Sequence, residues 1–308
     1  MNTSLLPNSN IWLAYGGALI VLVAGTTVTR YLASTYPERD YSNLRLRVRT
    51  WWLIVPALVV ALSIGPPATA LLFAVASAVA LHEYLTFTTN HKQPAAVLVV
   101  THAAVPILYG LAYYGDHASL IAFVPPYGLL LAGVIFGAHH GDRFQRAIGT
   151  IALGIILTVF SLSYIARLVT LANGTGLVIF LLMTTQLNDV SQYVWGKVLG
   201  HTPLAPTLSP NKTREGMLGG LLSTAVLASL LGPLLTPLHG PVAAVAGVVI
   251  ALAGVAGDLT VSGLKRIAGV KDAGKLLPGH GGFFDRLDSL IYAAPLFFYG
   301  MLAWHEMQ

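Results

Sequence analysis

The chain contains no cysteine, and only 9% of its 308 residues are charged. The first absence excludes disulfides and thiolate metal ligands and leaves the redox compartment unmarked. The second excludes a soluble globule of this size, because soluble domains carry about 25% charged residues and need them to face water. A long linker, a low-complexity tract and an internal repeat are also lacking, so 1–308 reads as a single transmembrane domain. Within it, 1–170 is an N-terminal multi-span half, and 171–308 holds most of the polar motifs. The first ten residues, MNTSLLPNSN, have no positive n-region, and the apolar stretch behind them outruns that of a cleaved signal. A retained first span is expected.

What the chain has in abundance is apolar sequence: 55% of its residues are hydrophobic and its mean hydropathy is +0.72. The runs are continuous and rich in Leu, Ala, Val and Gly rather than short and alternating, which favours helices over a membrane barrel. With about 20 residues needed per crossing, spans are predicted at 11–29, 51–65, 67–83, 95–114, 118–138, 146–166, 174–194, 216–235, 241–258 and 289–304. The second is short, and the Gly65-Pro66-Pro67 hairpin is placed near the interface. The fold class is therefore all-α, a polytopic integral membrane protein of eight to ten helices. Trp51-Trp52 marks a membrane interface. With the N-terminus outside, every Lys and Arg except Arg167 falls on the cytoplasmic side, and Arg167 is left to snorkel from a helix end. The net charge of +5 and pI near 9.4 suit anionic lipid and anionic substrates rather than nucleic acid.

Between spans nine and ten lies a polar island, SGLKRIAGVKDAGKLLPGHGGFFDRLD, Ser262 to Asp288, which holds eight of the twenty-nine charged side chains. Phosphate transfer needs cations for oxyanions, a divalent metal for developing charge, and backbone tight enough to bring N–H groups to oxygen. Lys265, Arg266, Lys271, Lys275 and Arg286 supply the cations, and Pro278-Gly279-His280-Gly281-Gly282 supplies the tight backbone. Asp258, Asp285 and Asp288 supply hard oxygens suited to Mg²⁺. Positive-inside topology alone explains a basic loop, but it requires neither acids beside Arg286 nor a glycine-flanked histidine.

The island resembles the signature of the phosphatidate cytidylyltransferases, or CDP-diglyceride synthases, through Ser262, Lys265, Arg266, Lys271, Asp272, Gly274, Pro278, His280, Gly281, Gly282, Asp285, Arg286 and Asp288. A second match lies upstream, in Asp189, Tyr193, Gly196-Lys197 and Ser209-Pro210-Asn211-Lys212-Thr213-Arg214-Glu215-Gly216. There Val190 and Gln192 replace the Ser or Thr and the Ala of many members, a departure that bears on substrate choice. The resemblance covers about 180–300.

It implies the reaction CTP + phosphatidate → CDP-diacylglycerol + pyrophosphate, in a protein of the cell (inner) membrane if bacterial, with its site facing the cytoplasm. A homodimer is implied as well. Asp258 and Asp285 are the leading Mg²⁺ ligands, one closing span nine and the other preceding span ten; Asp189 is a third, and a monovalent cation such as K⁺ is a further expectation. Lys265, Arg266, Lys271 and Arg286 would clamp phosphates, with Lys212 and Arg214 approaching from the other loop. His280 either donates to a phosphate or holds the loop. Ser209, Ser262, Asp272, Gly281, Gly282 and Asp288 complete the substrate-binding set, the glycines by permitting close backbone approach. Glu83, beside His82, is placed at the inner end of span three, either bordering the lipid's access route or snorkelling. His139-His140 and His201 lack companions at metal-binding spacing. Three other readings stand beside this one: the same chemistry on another lipid phosphate, a multi-span transporter, and a catalytically silent relative.

Overall fold

The computed structural model describes residues 9–89, 93–277, 279 and 281–307. Each predicted span falls on one helical rod. These are α1 (Ser9–Thr35), α2 (Ser42–Ile64), α3 (Pro66–Thr88), α4 (Ala95–Tyr114), α5 (His117–Ala138), α6 (Asp142–Ile155) running through a π turn into α7 (Ser161–Val169), α8 (Gly174–Leu199), α9 (Arg214–Leu235), α10 (Gly240–Ile267) and α11 (Leu290–Glu306). Eight of these rods are long and apolar enough to cross a membrane. The exceptions are instructive. α11 has 17 residues, and α8 carries Thr184, Thr185, Gln186, Asn188, Asp189, Ser191 and Gln192 along its second half.

Three local features differ from expectation. The basic segment Arg45–Arg49 is the opening of α2 rather than a loop, so the second span has 23 residues and is not short. Nothing in SNLRLRVR breaks a helix, and Asp40 steadies its start by accepting from the Ser42 N–H and hydroxyl at 2.8 and 2.9 Å. At the other end Gly65, with φ +120°, makes the whole turn, and Pro66-Pro67 begin α3 where their missing N–H groups are harmless. Second, α3 continues to Thr88, which puts Glu83 inside the helix and buries it. Third, Arg167 does not snorkel. Its guanidinium donates to the Gly115 carbonyl at 2.7 Å, satisfying the C-terminal end of α4.

Fully or nearly fully buried side chains lie on α3, α4, α5, α7, α8, α10 and α11, with Ala80, Leu81, Leu108, Ile135, Ile165, Phe180, Ile250 and Ile291 among them. Large apolar residues such as Ile20, Leu129 and Leu222 face outward, as suits a lipid-exposed surface. The π turn follows Gly154, whose missing Cβ makes room for the Tyr84 ring of α3; the Tyr84 hydroxyl donates to the Thr150 carbonyl at 3.0 Å.

Small residues set the packing of the C-terminal helices. A Cβ on Gly220 would stand 2.4 Å from Gln192 Cγ, one on Gly232 2.1 Å from Ala243 Cβ, and one on Gly247 2.3 Å from Ala228 Cβ. Buried Asn188 ties the three helices together, donating to the Ala251 carbonyl and accepting from Thr224, each at 3.4 Å. Between α8 and α9 the all-α reading omitted a small antiparallel hairpin, β1 (Pro203–Ala205) with β2 (Ser209–Thr213). Thr213 then caps α9 by accepting from the Gly216 N–H at 3.1 Å, and Glu215 takes the His201 and Thr202 N–H groups.

Candidate active site

The polar island forms two adjoining structures rather than one. The first is a knot around Asp285. α10 stops at Ile267 because Gly269, at φ +72°, turns the chain left-handed, and the Val270 N–H closes on the Lys265 carbonyl at 2.9 Å. The loop returns through a bridge between Leu277 and Gly281 to a short turn, Phe284–Arg286. Within it, buried Asp285 accepts from Lys265 Nζ at 2.6 Å through Oδ1. Its Oδ2 accepts from the Ala273 N–H at 2.9 Å and the Gly282 N–H at 3.0 Å. Asp285, expected beside Asp258 as a metal ligand, thus has both oxygens engaged in holding the loop.

Glu83 is the other anchor of the knot. It reaches the island across 201 residues of sequence, accepting from the Phe284 N–H at 2.8 Å. Its Oε1 is buried without a hydrogen-bond partner. A Cβ on Gly274 would stand 2.4 Å from that oxygen, and one on Gly282 2.8 Å from Oε2 and 2.6 Å from the Gly274 N. Both glycines are needed for this approach. Glu83 therefore seats the glycine-bearing loop and neither snorkels nor stands at a helix end.

The second structure is a carboxylate cluster where α8, α10 and the start of α11 meet. Asp189 of α8 accepts from the Ser289 hydroxyl at 3.2 Å, and the neighbouring Asp288 accepts from the Ser289 N–H at 2.7 Å. Asp258 of α10 accepts from Ser262, one turn on, at 3.2 Å and pairs with Lys212 of β2. Burial, then the Asp258 and Asp189 carboxylates, push Asp288 up to about 8 from 3.8, against the pull of Arg286. Asp189, Asp258 and Asp288 are half-buried, with Lys212 and Arg286 as neighbouring cations. Their hard oxygens suit a divalent cation, although among the described residues no three stand together as ready-made ligands.

The remaining expected residues divide by exposure. Arg266 is exposed and spans two backbone carbonyls, of Leu208 and Val270, each at 3.3 Å, so it fastens the hairpin loop to the island. Lys271 and Asp272 occupy an exposed turn, and Arg286 is exposed beside the cluster. Gly281, at φ +82°, backs onto Asp272 and Asp285. Ser209 pairs with Ala205 in the hairpin rather than approaching the acids. His280 lies outside the described residues. Two contributors carried no signal in the sequence reading: Ser289, which bridges Asp189 and Asp288, and Arg47 of α2, which donates to the Gly279 carbonyl at 3.0 Å.

The model of the cytidylyltransferase family matches residues 45–304. YnbB, described as an uncharacterized protein of Escherichia coli (strain K12), is 40% identical over 288 residues, 91% of this chain and 94% of its own length. A phosphatidate cytidylyltransferase of Helicobacter pylori (strain J99 / ATCC 700824) is 44% identical over 189 residues, 59% of this chain and 65% of that protein. One from Staphylococcus epidermidis (strain ATCC 12228 / FDA PCI 1200) is 39% identical over 129 residues, 41% and 49% of the two chains. The matches thus span about half to two thirds of the length of those enzymes. With α3 through α10 and most of α2 and α11 inside the matched region, the chain belongs to the cytidylyltransferase family and is a multi-pass membrane nucleotidyltransferase.

Proposed function

We propose that the protein is a phosphatidate cytidylyltransferase, joining CTP to phosphatidate and releasing pyrophosphate at the cytoplasmic face of the membrane. The observation that carries this reading is the meeting of Asp189, Asp258 and Asp288 with Lys212 and Arg286 at the polar end of an otherwise apolar bundle. Polyanions from water and from lipid can both approach such a place. The partial relatives named for this activity support the choice of lipid, and the Lys and Arg bias of the loops supports the orientation.

The chemistry asks little of a general base. A phosphomonoester has its second pKa near 6, so the lipid phosphate is already largely ionised at neutral pH. Its oxygen forms a bond to the α-phosphorus of CTP while the bond to the β-phosphate oxygen breaks, and pyrophosphate leaves. The protein's work is to align two anions and to stabilise the charge that develops between them. Lys212, paired with Asp258, and exposed Arg286 would meet phosphate oxygens, with Lys271 available on the exposed turn after α10. Mg²⁺, held by one or two of Asp258, Asp189 and Asp288 together with substrate phosphates, would supply neutralising charge to the leaving group. Lys265 and Asp285 act by holding the loop in shape.

Incubating the purified protein with each nucleoside triphosphate, Mg²⁺ and a panel of lipid phosphates, then identifying products by mass, tests the assignment. CDP-diacylglycerol from CTP and phosphatidate is expected. Product only from an isoprenoid- or ether-linked phosphate would move the protein to a different lipid, and no nucleotide-linked lipid at all would overturn the reading.

A further inference from the structure

A second cationic site lies away from the acids, between α1 and α2. A cavity of about 900 Å³ opens there, lined by Arg30 of α1, by Arg45 and Arg49 one turn apart on α2, and by Thr26, Ser34 and Trp52. Among the described residues no carboxylate lines it. Among the described residues none of the three arginines forms an ion pair. Asp40, the acid that feels Arg45, is already occupied by the Ser42 N–H and hydroxyl. Trp52 is fixed as a wall by donating its indole N–H to Thr26 at 2.9 Å. Topology accounts for a number of positive charges near a membrane surface. It does not require three guanidinium groups, from two helices, to converge on one aromatic-walled cavity.

We propose that this cavity binds the phosphate of an anionic phospholipid headgroup. Guanidinium forks match phosphate oxygens two at a time, and basic pockets between membrane helices hold anionic headgroups. Val23 of α1, one turn before Thr26, and Leu53 of α2, one turn after Arg49, are exposed and apolar and offer acyl chains a surface. The site is distinct from the carboxylate cluster, and α1 precedes the segment matched by the family, which starts at residue 45. It is nonetheless joined to the polar island. Arg47, on the opposite face of α2 from Arg45 and Arg49, donates to the Gly279 carbonyl, and a Cβ on Gly279 would stand 2.8 Å from Leu46 Cβ. A lipid that steadies the first turns of α2 therefore steadies the seat of the glycine loop.

Native mass spectrometry of the full chain, equilibrated with equal phosphatidylcholine and phosphatidylglycerol in neutral detergent, tests this independently of catalysis. Phosphatidylglycerol is a diester and is not the proposed substrate. Wild-type protein should retain it selectively, and Arg30→Gln/Arg49→Gln should weaken retention by at least about tenfold, given roughly a fivefold effect of each lost surface arginine. Should that variant fail to fold, Ala33→Trp fills the cavity with every charge kept, and it should weaken retention likewise. Added inorganic phosphate should leave the bound lipid in place. Equal retention by wild type and folded variants would overturn the proposal, and so would a site saturated by inorganic phosphate with no preference for the anionic lipid.

Discussion

Asp258, Asp285 and Asp288 share a charge and a short stretch of structure, yet their surroundings give them different work. Asp258 and Asp288 belong to the cluster with Asp189, whereas Asp285 spends both oxygens on Lys265 and two backbone N–H groups. Asp258→Asn should lower cytidylyl transfer by about 100-fold or more while the protein remains inserted and its melting changes little, as when a transition-state electrostatic partner is removed. Asp285→Asn should act differently. It leaves the half-buried Lys265 without its partner, which costs about 3–5 kcal/mol for a buried pair, so melting temperature and activity should fall together. Equal melting curves for the two variants would remove the distinction. A pH dependence follows from Asp288. Its folded value lies near 8 against 3.8 when unperturbed, so the folded state holds the extra proton between those values. That contribution to stability is present in full below about pH 4 and is lost as the pH rises through about 8. In chelator, the melting temperature should fall over that window, and Asp288→Asn should flatten the slope; an unchanged slope in the variant would count against the cluster.

At the scale of elements, the loop after α10 depends on what approaches it rather than on its own composition. Gly282 and Gly269 make the contrast testable. A Cβ on Gly282 meets the Gly274 N at 2.6 Å and Glu83 Oε2 at 2.8 Å, whereas one on Gly269 meets nothing within 4 Å and suffers only its φ of +72°. Gly282→Ala should therefore abolish transfer and expose the loop to protease. Gly269→Ala should cost only about 1–2 kcal/mol of left-handed strain and leave the loop protected. Similar protease sensitivity in both would mean that Glu83 does not seat the loop.

The same comparison explains what was legible in the sequence. Ten apolar runs gave ten rods because continuous hydrophobicity over about 20 residues is a direct signal. The island was legible because so many charges and glycines stand between two such runs. The first turns of α2 were hidden, since Arg45–Arg49 read as polar loop although nothing in them breaks a helix. Glu83 was noticed but misplaced, because its partner lies 201 residues away and no local pattern records that contact. The division of labour between Asp285 and Asp288 was hidden too: it depends on the short turn Phe284–Arg286, which sets one acid toward the loop and leaves the other beside Ser289.

On the scale of the whole molecule, the N-terminal helices support the C-terminal site instead of merely filling the membrane. α3 supplies Glu83, α2 supplies Arg47, and α8, α10 and α11 bring their polar ends together over an apolar bundle. In the proposed reaction an aqueous nucleotide and a lipid phosphate would both reach these carboxylates. The most direct measurement compares wild type with Asp288→Asn, following CDP-diacylglycerol by mass from CTP, phosphatidate and Mg²⁺. Wild type should form the product, and the variant should form it at least about 100-fold more slowly while keeping a normal gel-filtration profile. Wild-type turnover by Asp288→Asn would contradict the carboxylate cluster as the centre of the reaction.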